Sequence, residues 1–215
     1  MAHTADPFAG MTGLLTTSDE LDAVIGKPVQ AVIDKVQPRL DDLCKDFIAA
    51  SRFCLIGTAG SDGHLDISPK GDPAGFVKVL SDTMVAIPDR PGNRRVDTFH
   101  NVLQNDRVGV LFMVPGKGET LRIRGRARIS SDPSLLEPMA VNGKPPRLAL
   151  LIYVDEAFIH CPKCIMRSQI WQPENWGESG DVADIGTMMI THAKLNQSRD
   201  EHFEWAKKQG FLDLY

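Results

Sequence analysis

Two adjacent arginines follow a glycine in segment 89–98, Asp-Arg-Pro-Gly-Asn-Arg-Arg-Val-Asp-Thr. Gly92 allows the backbone to approach a ligand closely, and the guanidinium groups of Arg94 and Arg95 can each donate paired hydrogen bonds to phosphate. A helix over residues 94–103 with Asn93 as its N-cap would direct free N–H groups and its positive dipole end at this turn. The segment predicts a phosphate site. The alternative is a well-capped surface helix with solvated arginines.

A second polar group follows a predicted strand, in Ser-Pro-Lys-Gly-Asp at 68–72. The Lys70 ammonium group suits an anionic or electron-rich ligand, and the Ser68 hydroxyl can hydrogen-bond to the edge of a ring. An ordinary turn of Pro, Gly and Asp is the alternative interpretation.

A third candidate is segment 160–171, in which Cys161 and Cys164 have the spacing of half a zinc site or of a redox dithiol. Two further zinc ligands are not evident, and no preceding βαβ pattern supports a thioredoxin-like dithiol. If Pro162 opens a helix, one face carries two cations and an aromatic ring at i, i+4 and i+8: Lys163, Arg167 and Trp171. That stripe would suit a planar phosphorylated cofactor. Structural zinc, a dithiol and a half-buried helix remain alternatives.

Composition limits the classes of function. The chain has 215 residues and a net charge of −4, which opposes indiscriminate binding to nucleic acid or to an anionic membrane. Residues 84–130 nevertheless carry nine basic and four acidic side chains, which indicates a local site for a small anion. No apolar run approaches the roughly 18 residues of a membrane span, and the start lacks a secretory signal pattern. We therefore predict a cytoplasmic protein with neither nucleic acid nor membrane as partner.

The elements that must position these residues change type near residue 53. Thr17 and Glu20 form a predicted capping box before helices at 18–25 and 28–50, the second of which Pro38 should kink or divide. Six strands then follow, at 53–58, 64–69, 77–80, 84–87, 108–114 and 121–129, and a helix near 200–209 closes the chain.

The last of these strands has the clearest pattern in the chain. Between 121 and 129, apolar or small residues alternate with Arg122, Arg124, Arg126 and Arg128. Because strand side chains alternate between faces, one face should enter the core while the other carries four guanidinium groups. Six antiparallel strands with short connections, packed by helices, predict a small barrel that is mainly β with α extensions.

The order of these motifs resembles the pyridoxamine 5′-phosphate oxidase-like family of FMN-binding split barrels. The matching order is Ser-Pro-Lys-Gly-Asp, Ile-Pro-Asp…Gly-Asn-Arg-Arg…Asp-Thr, Thr-Leu-Arg-Ile-Arg-Gly-Arg-Ala, and His-Cys-Pro-Lys-Cys…Arg-Ser…Trp, over roughly residues 45–175. The resemblance implies a six-stranded antiparallel split β-barrel with flanking helices. It also implies a homodimer that binds FMN at the subunit interface.

The resemblance further implies roles for particular residues. Residues 93–95 match the phosphate-binding stretch, 68 and 70 the strand end along the isoalloxazine ring, and 120 and 122 a strand with polar contacts to FMN. Residues 163, 167 and 171 match a late segment that reaches the cofactor from the partner subunit. The implied cofactor-binding set is Ser68, Lys70, Asp89, Asn93, Arg94, Arg95, Thr98, Thr120, Arg122, Lys163, Arg167 and Trp171.

Two departures from the family pattern bear on the substrate. The vitamin B6 oxidases of this family end in a segment containing Arg-Leu-His that holds pyridoxal phosphate, whereas residues 209–215 here read Gln-Gly-Phe-Leu-Asp-Leu-Tyr. Leu-Asp-Ile at 65–67 also stands where family members have an arginine. We therefore expect an FMN-dependent oxidoreductase with a different small-molecule electron donor or acceptor. The alternative is a flavin- or haem-binding protein of the same fold without turnover.

The predicted organisation has four parts. Residues 1–16 form a flexible N-terminus, 17–50 N-terminal helices, 51–175 the FMN-binding split barrel, and 176–215 a C-terminal extension of the same domain.

Overall fold

The computed structural model describes residues 6–215; residues 1–5, at the start of the stretch expected to be flexible, lie outside the described residues. The helices are α1 (Ser18–Ile25), α2 (Gln30–Asp34), α3 (Asp42–Ala50), α4 (Asp97–Gln104), α5 (Pro133–Leu136), α6 (Lys163–Ser168), α7 (Ile185–His192) and α8 (Arg199–Lys208). The strands are β1 (Phe53–Ala59), β2 (Leu65–Gly71), β3 (Lys78–Ser81), β4 (Met84–Pro88), β5 (Arg107–Met113), β6 (Thr120–Ser130) and β7 (Ala149–His160). Short 3₁₀ turns occupy Glu137–Met139 and Pro173–Asn175.

The chain divides into two compact units, of which the first ends at Lys35 and contains α1 and α2. The predicted capping box is confirmed: Thr17 Oγ1 accepts from the Glu20 N–H (3.2 Å), and Glu20 Oε2 accepts from the Thr17 N–H (3.0 Å). Both helices expose apolar side chains, such as Val24 of α1 and Val32 of α2. Helix α1 is therefore stabilised by local capping and buries none of its residues, while α2 has neither a side-chain cap nor a buried residue.

The predicted helix over 28–50 is divided, as Pro38 required. Helix α2 stops at Asp34, and α3 starts at Asp42 with Asp41 as its N-cap, whose carboxylate accepts from the Cys44 N–H (2.8 Å). Between them, Gln37 exchanges two backbone hydrogen bonds with Ala157 of β7. Leu40 is buried, but outside any helix.

The second unit, Val36–Tyr215, is built on one antiparallel sheet with strand order β2-β1-β5-β6-β7-β4-β3. The prediction of a mainly antiparallel β fold with flanking helices is confirmed. The predicted number of strands was wrong, because the sheet has seven strands and the sequence pattern missed β7. A β-bulge at Asp155 explains the omission: register passes from Arg124–Glu156 to Gly125–Val154, so the inward positions on β7 change phase.

The alternation predicted for β6 is confirmed. Leu121, Ile123 and Ala127 are buried, while the intervening arginines face outward. Three of those arginines form ion pairs with carboxylates: Arg124 with Glu156, Arg126 with Asp155 and Arg128 with Asp106. This arginine row is therefore largely neutralised by carboxylates of the same chain.

Two ion pairs show that the sheet is strongly curved. Strand β2 lies at one edge and β4 lies next to the opposite edge, yet Lys70 of β2 pairs with Asp89 (3.6 Å) just after β4. Asp72, directly after β2, pairs with Arg90 (2.6 Å). Strands this far apart in the hydrogen-bonding order can meet only if the sheet bends round. One apolar core accordingly joins β1, β4 and β7 with α3 and α4.

The bulge between β6 and β7 depends on Gly125. A Cβ there would overlap the carbonyl oxygen of Tyr153, which is backbone and cannot move aside. We expect Gly125→Ala to lower the free energy of unfolding by about 1–3 kcal/mol, the usual cost of overpacking, measured by urea denaturation.

Gly109→Ala on the neighbouring strand β5 is the matched control. No atom lies within 4 Å of a Cβ at that position, so its unfolding free energy should change by no more than about 0.5 kcal/mol. Equal unfolding midpoints for the two variants would contradict this account of the bulge.

Candidate functional site

A cavity of about 670 Å³ lies where β2, the segment after β4 and the start of α4 meet the 144–147 loop and residues 210–215. Small-molecule sites usually span about 300–1,000 Å³. The basic residues of its lining are Lys70, Arg90, Arg94, Arg95, Lys144 and Arg147, and the acidic ones are Asp66, Asp89 and Asp97. This excess of positive charge suits a small anion.

The turn before α4 differs from the predicted one. Asn93 Oδ1 accepts from the Arg95 N–H (3.0 Å), and Arg94 (φ 62°) and Val96 (φ 48°) are left-handed. The helix consequently begins at Asp97, with Val96 as its N-cap. The prediction of a helix from residue 94 capped by Asn93 was wrong, because the asparagine side chain stabilises a turn in place of a helical start. Both arginines therefore lie in the turn.

Helix α4 holds this turn in a strained conformation. A left-handed β-branched residue such as Val96 costs roughly 1–3 kcal/mol, and such strain persists where packing enforces it. Thr98, Phe99 and Val102 supply that packing because all three are buried. Within the described chain, no side chain caps α4. The cavity therefore borders a helix N-terminus that has no side-chain acceptor, which favours an anion.

The two arginines of the turn differ in their partners. Arg95 Nε donates to Asp97 Oδ2 (2.7 Å), so the Asp97 carboxylate partly neutralises the charge of Arg95. Arg94 has no carboxylate partner among residues 6–215, and its guanidinium carbon lies 6.0 Å from the centroid of the Phe211 ring. Arg94 is thus the better placed of the two to bind an anion.

Alternate residues of β2 supply the polar wall opposite the turn. Asp66, Ser68 and Lys70 are half-buried along the cavity, while Leu65 and Ile67, at alternate positions of the same strand, are exposed. Asp66 Oδ2 accepts from the Thr98 hydroxyl (3.1 Å). This row connects a cation, a hydroxyl and a carboxylate along a single strand.

The Lys70–Asp89 pair sits in a partly dehydrated environment, because each side chain is only 24% exposed. Burial raises the pKa of the Asp89 carboxyl, and the nearby Lys70 ammonium group opposes that rise. Lys70 therefore contributes less net positive potential to the cavity than an unpaired lysine would.

The structure brings together seven of the twelve expected site residues. The seven that line the cavity are Ser68, Lys70, Asp89, Asn93, Arg94, Arg95 and Thr98. Thr120 is buried within β6, and Arg122 lines a second depression of about 770 Å³ on the β1–β2–β5–β6 face. Lys163 and Arg167 are exposed on α6 and line neither cavity.

Trp171 does not share a helix face with Lys163 and Arg167, so the predicted i, i+4, i+8 stripe was wrong in its last member. Helix α6 ends at Ser168 because Gln169 adopts a left-handed conformation (φ 50°). The Trp171 indole N–H donates to the Lys117 carbonyl oxygen (2.7 Å), which fixes the ring against the β5–β6 turn.

All four cysteines are free thiols. Burial raises the pKa of Cys44 to about 11 and that of Cys54 to about 12, so both remain protonated at neutral pH. Cys161 and Cys164 are exposed. Within the part of the chain that the structure describes, no three His, Cys, Asp or Glu side chains cluster closely enough to bind a metal ion.

Sequence reasoning missed several residues of the cavity wall: Arg90, Lys144, Arg147, Phe211 and Tyr215. Arg90 lay inside the segment already singled out, and Gly-Lys-Pro-Pro-Arg at 143–147 is a basic turn that a search for anion sites could have noticed. The two aromatic residues have no such local signal, because only folding brings them beside the arginines.

The deepest charge near the cavity is Asp72, whose side chain is 1% exposed. It accepts from Arg90 Nε (2.6 Å) and from the Tyr215 hydroxyl (2.6 Å). Arg90, 16% exposed, also donates through Nη2 to the Met139 carbonyl oxygen (2.9 Å). The buried Asp72 carboxylate therefore has hydrogen-bond donors for both of its oxygens. Loss of this carboxylate would leave Arg90 without its counter-charge and the Tyr215 hydroxyl without its acceptor.

We expect Asp72→Ala to lower the free energy of unfolding by about 2–4 kcal/mol, because it leaves the Arg90 guanidinium group buried without its counter-charge. Urea denaturation measures the change. Asp106→Ala is the control: it removes the partner of the exposed Arg128, and such pairs contribute about 0–1 kcal/mol. Equal losses of unfolding free energy in the two variants would show that the burial of Asp72 does not increase its contribution to stability.

Among residues 6–215, none of the helices combines the length and hydropathy that a membrane crossing requires.

A comparison with curated protein sequences found no match. Similar solved structures include HupZ from Group A Streptococcus, at 18% identity and a TM-score of 0.46, over 56% of this chain and 93% of that one. General stress protein 26 from Bacillus anthracis matches at 16% identity and a TM-score of 0.41, over 54% and 88% of the two chains.

The assignment to a family rests on sequence, since these structural likenesses are distant. The sequence model described as "Pyridoxamine 5'-phosphate oxidase" matches residues 40–161, which is more than half of the chain. That range contains β1 to β7 and the turn before α4. This chain belongs to the pyridoxamine 5′-phosphate oxidase family.

Proposed function

We propose that the protein is an FMN-binding flavoprotein oxidoreductase whose substrate differs from pyridoxamine 5′-phosphate. The observation that carries the proposal is the cavity in which Arg94 and the uncapped start of α4 face the polar row of β2. FMN joins a phosphate dianion to a flat ring with polar edges, and the cavity walls offer a chemically matched surface for each part.

The phosphate end is assigned to the turn before α4. Arg94 supplies a guanidinium group without a carboxylate partner among the described residues, and the α4 N-terminus supplies N–H donors. Lys144 and Arg147 add positive charge from the opposite loop. Arg95 contributes less, because Asp97 already accepts from it.

The ring end is assigned to β2. Ser68 can donate to a ring heteroatom, and Lys70 places a half-buried ammonium group on the same wall. FMN, when bound, supplies the redox chemistry. The protein binds and orients it, and the positive charge of Lys70 favours a negatively charged ring edge. Proline and phenylalanine side chains provide the apolar surface: Pro69, Pro91, Phe99, Pro145, Pro146 and Phe211.

The remaining expected residues are assigned to a homodimer in which the sheet acts as the family's split barrel. Thr120, Arg122, Lys163, Arg167 and Trp171 lie away from the cavity of their own subunit, so we propose that Lys163, Arg167 and Trp171 reach the cofactor of the partner. The exposed Leu65 and Ile67 beside Arg122 give the second depression an apolar surface suited to a second copy. In this scheme residues 51–175 bind FMN, residues 176–215 extend the same domain, and the dimer is cytoplasmic.

An absorbance spectrum of the purified protein tests the proposal directly. We expect a yellow protein, or one that binds added FMN, with a flavin spectrum that reductant bleaches. A colourless protein that does not bind FMN on titration would refute the proposal. Oxidation of NADH or NADPH by the loaded protein, with oxygen or a quinone as acceptor, separates an oxidoreductase from a protein that only binds flavin.

Arg94→Ala should weaken FMN binding about 10- to 100-fold, since a charge-assisted hydrogen bond contributes roughly 1.5–3 kcal/mol. Riboflavin lacks the phosphate, so its affinity should not change. Arg128→Ala, on the outer face of β6, is the matched control and should bind both ligands as the wild type does. A parallel loss of riboflavin affinity in Arg94→Ala would place the phosphate elsewhere.

Subunit mixing tests the shared site. If Arg94 of one protomer and Arg167 of its partner bind the same FMN, Arg94→Ala and Arg167→Ala proteins should each bind FMN weakly. Mixed dimers should then regain one intact site, measured by flavin fluorescence after subunit exchange. No regain of binding in confirmed mixed dimers would contradict the shared site.

A further inference from the structure

The polar contacts of Tyr215 fasten the last residues of the chain to the rim of the cavity. Its hydroxyl donates to Asp72 (2.6 Å), its ring lies 5.7 Å from the Arg90 guanidinium carbon, and its main-chain oxygen accepts from Lys144 Nζ (3.1 Å). These partners come from the end of β2, the segment after β4 and the 144–147 loop. One residue therefore links three walls of the cavity.

Phe211 fastens the same segment to the turn before α4. Its ring lies 6.0 Å from the Arg94 guanidinium carbon and 5.5 Å, edge-on, from the Trp205 ring of α8. Its N–H donates to the Ala206 carbonyl oxygen (3.0 Å), and Gly210 (φ 72°) permits the bend after α8. Helix α8 thus anchors the segment, while the aromatic side chains contact the cations.

These contacts involve the basic groups that an anion would use. The segment 210–215 touches Arg90, Arg94 and Lys144, and a cation beside an aromatic ring or a hydrogen-bond acceptor loses conformational freedom before a ligand arrives. Gly210, Phe211 and Tyr215 also line the cavity themselves. A ligand in the cavity would therefore have this segment as one of its walls.

We infer that residues 210–215 form a clasp over the anion end of the cavity, which positions Arg94 and Lys144 and slows the release of a bound phosphorylated ligand. The clasp rests on the proposed function for the identity of that ligand as FMN. Tyr215 is a positioning residue: it acts through Asp72 and Lys144 and takes no part in the chemistry. Opening the clasp requires the Tyr215–Asp72 hydrogen bond to break.

Tyr215→Phe tests the clasp with little risk to folding, because the ring beside Arg90 is kept and only the hydroxyl is lost. We expect the release rate of FMN, measured by stopped-flow fluorescence, to rise about tenfold, the effect of one hydrogen bond to a charged group. The association rate should change little. The control is Tyr153→Phe, whose ring packs against Arg126 on the outer face of the sheet and whose release rate should be that of the wild type. Equal release rates for Tyr215→Phe and the wild type overturn the clasp.

A second measurement does not depend on flavin. The chain has two tyrosines, so Tyr153→Phe leaves Tyr215 alone to titrate. The hydrogen bond to Asp72, with a smaller contribution from desolvation, raises the pKa of Tyr215 above its usual 10.0. Because the raised pKa belongs to the docked state, docking is favoured below about pH 10 and is lost as pH rises through the higher value. Ultraviolet titration of this variant should show tyrosinate formation with a midpoint above pH 10. A midpoint at or below pH 10 overturns the docking.

The clasp and the proposed function can fail separately. If the wild-type protein does not bind FMN, the proposed function fails, and the clasp is then judged with inorganic pyrophosphate. Calorimetry should give a lower pyrophosphate affinity for Tyr215→Phe than for the wild type. Equal affinities, or no pyrophosphate binding by either protein, overturn the clasp.

Discussion

The structure depends on ion pairs that join strands near the two opposite edges of one curved sheet. Lys70 and Asp72 at the end of β2 meet Asp89 and Arg90 after β4, although five strands separate β2 from the far edge. Removing Asp72 from water is costly, and the carboxylate is accommodated because Arg90 and Tyr215 both donate to it. Three residues of these pairs, Lys70, Asp89 and Arg90, also line the cavity. Fold and candidate site thus share one set of interactions.

The cavity is not uniformly positive, because carboxylates pair with some of its basic side chains. Three carboxylates stand among its six basic side chains, and two of them engage Lys70 and Arg95. Arg94, in contrast, has no carboxylate partner among the described residues. It lies in a turn that the packed helix α4 holds in a strained conformation. The free N–H groups at the start of α4 are fixed by the backbone, so an anion that bound them would order no flexible side chain in that contact.

The candidate site is assembled from distant parts of the chain. The polar row of β2, the turn before α4, a loop near residue 145 and residues 210–215 all reach one cavity. The family assignment covers residues 40–161 and therefore not the last of these segments. Residues 210–215 supply the aromatic residues beside the cations.

Local chemistry was enough to predict many features from the sequence. The Thr17–Glu20 capping box, the arginine alternation of β6 and the division of a helix around Pro38 follow from contacts within a few residues, which the chain order already specifies. The motif order was also sufficient to indicate the family. It selected seven residues that the structure places on one cavity.

Tertiary structure decided what depends on distant parts of the chain. The bulge at Asp155 shifted the inward pattern of β7 and hid that strand, since its phase is set by pairing with β6 across Gly125. Helix α4 starts at Asp97 because the Asn93 side chain stabilises a turn before it, while the buried residues Phe99 and Val102 fix where the helix packs. Tyr215 reaches Asp72 across 143 residues, a contact that no local pattern encodes, because it exists only once the curved sheet has brought β2 and β4 together.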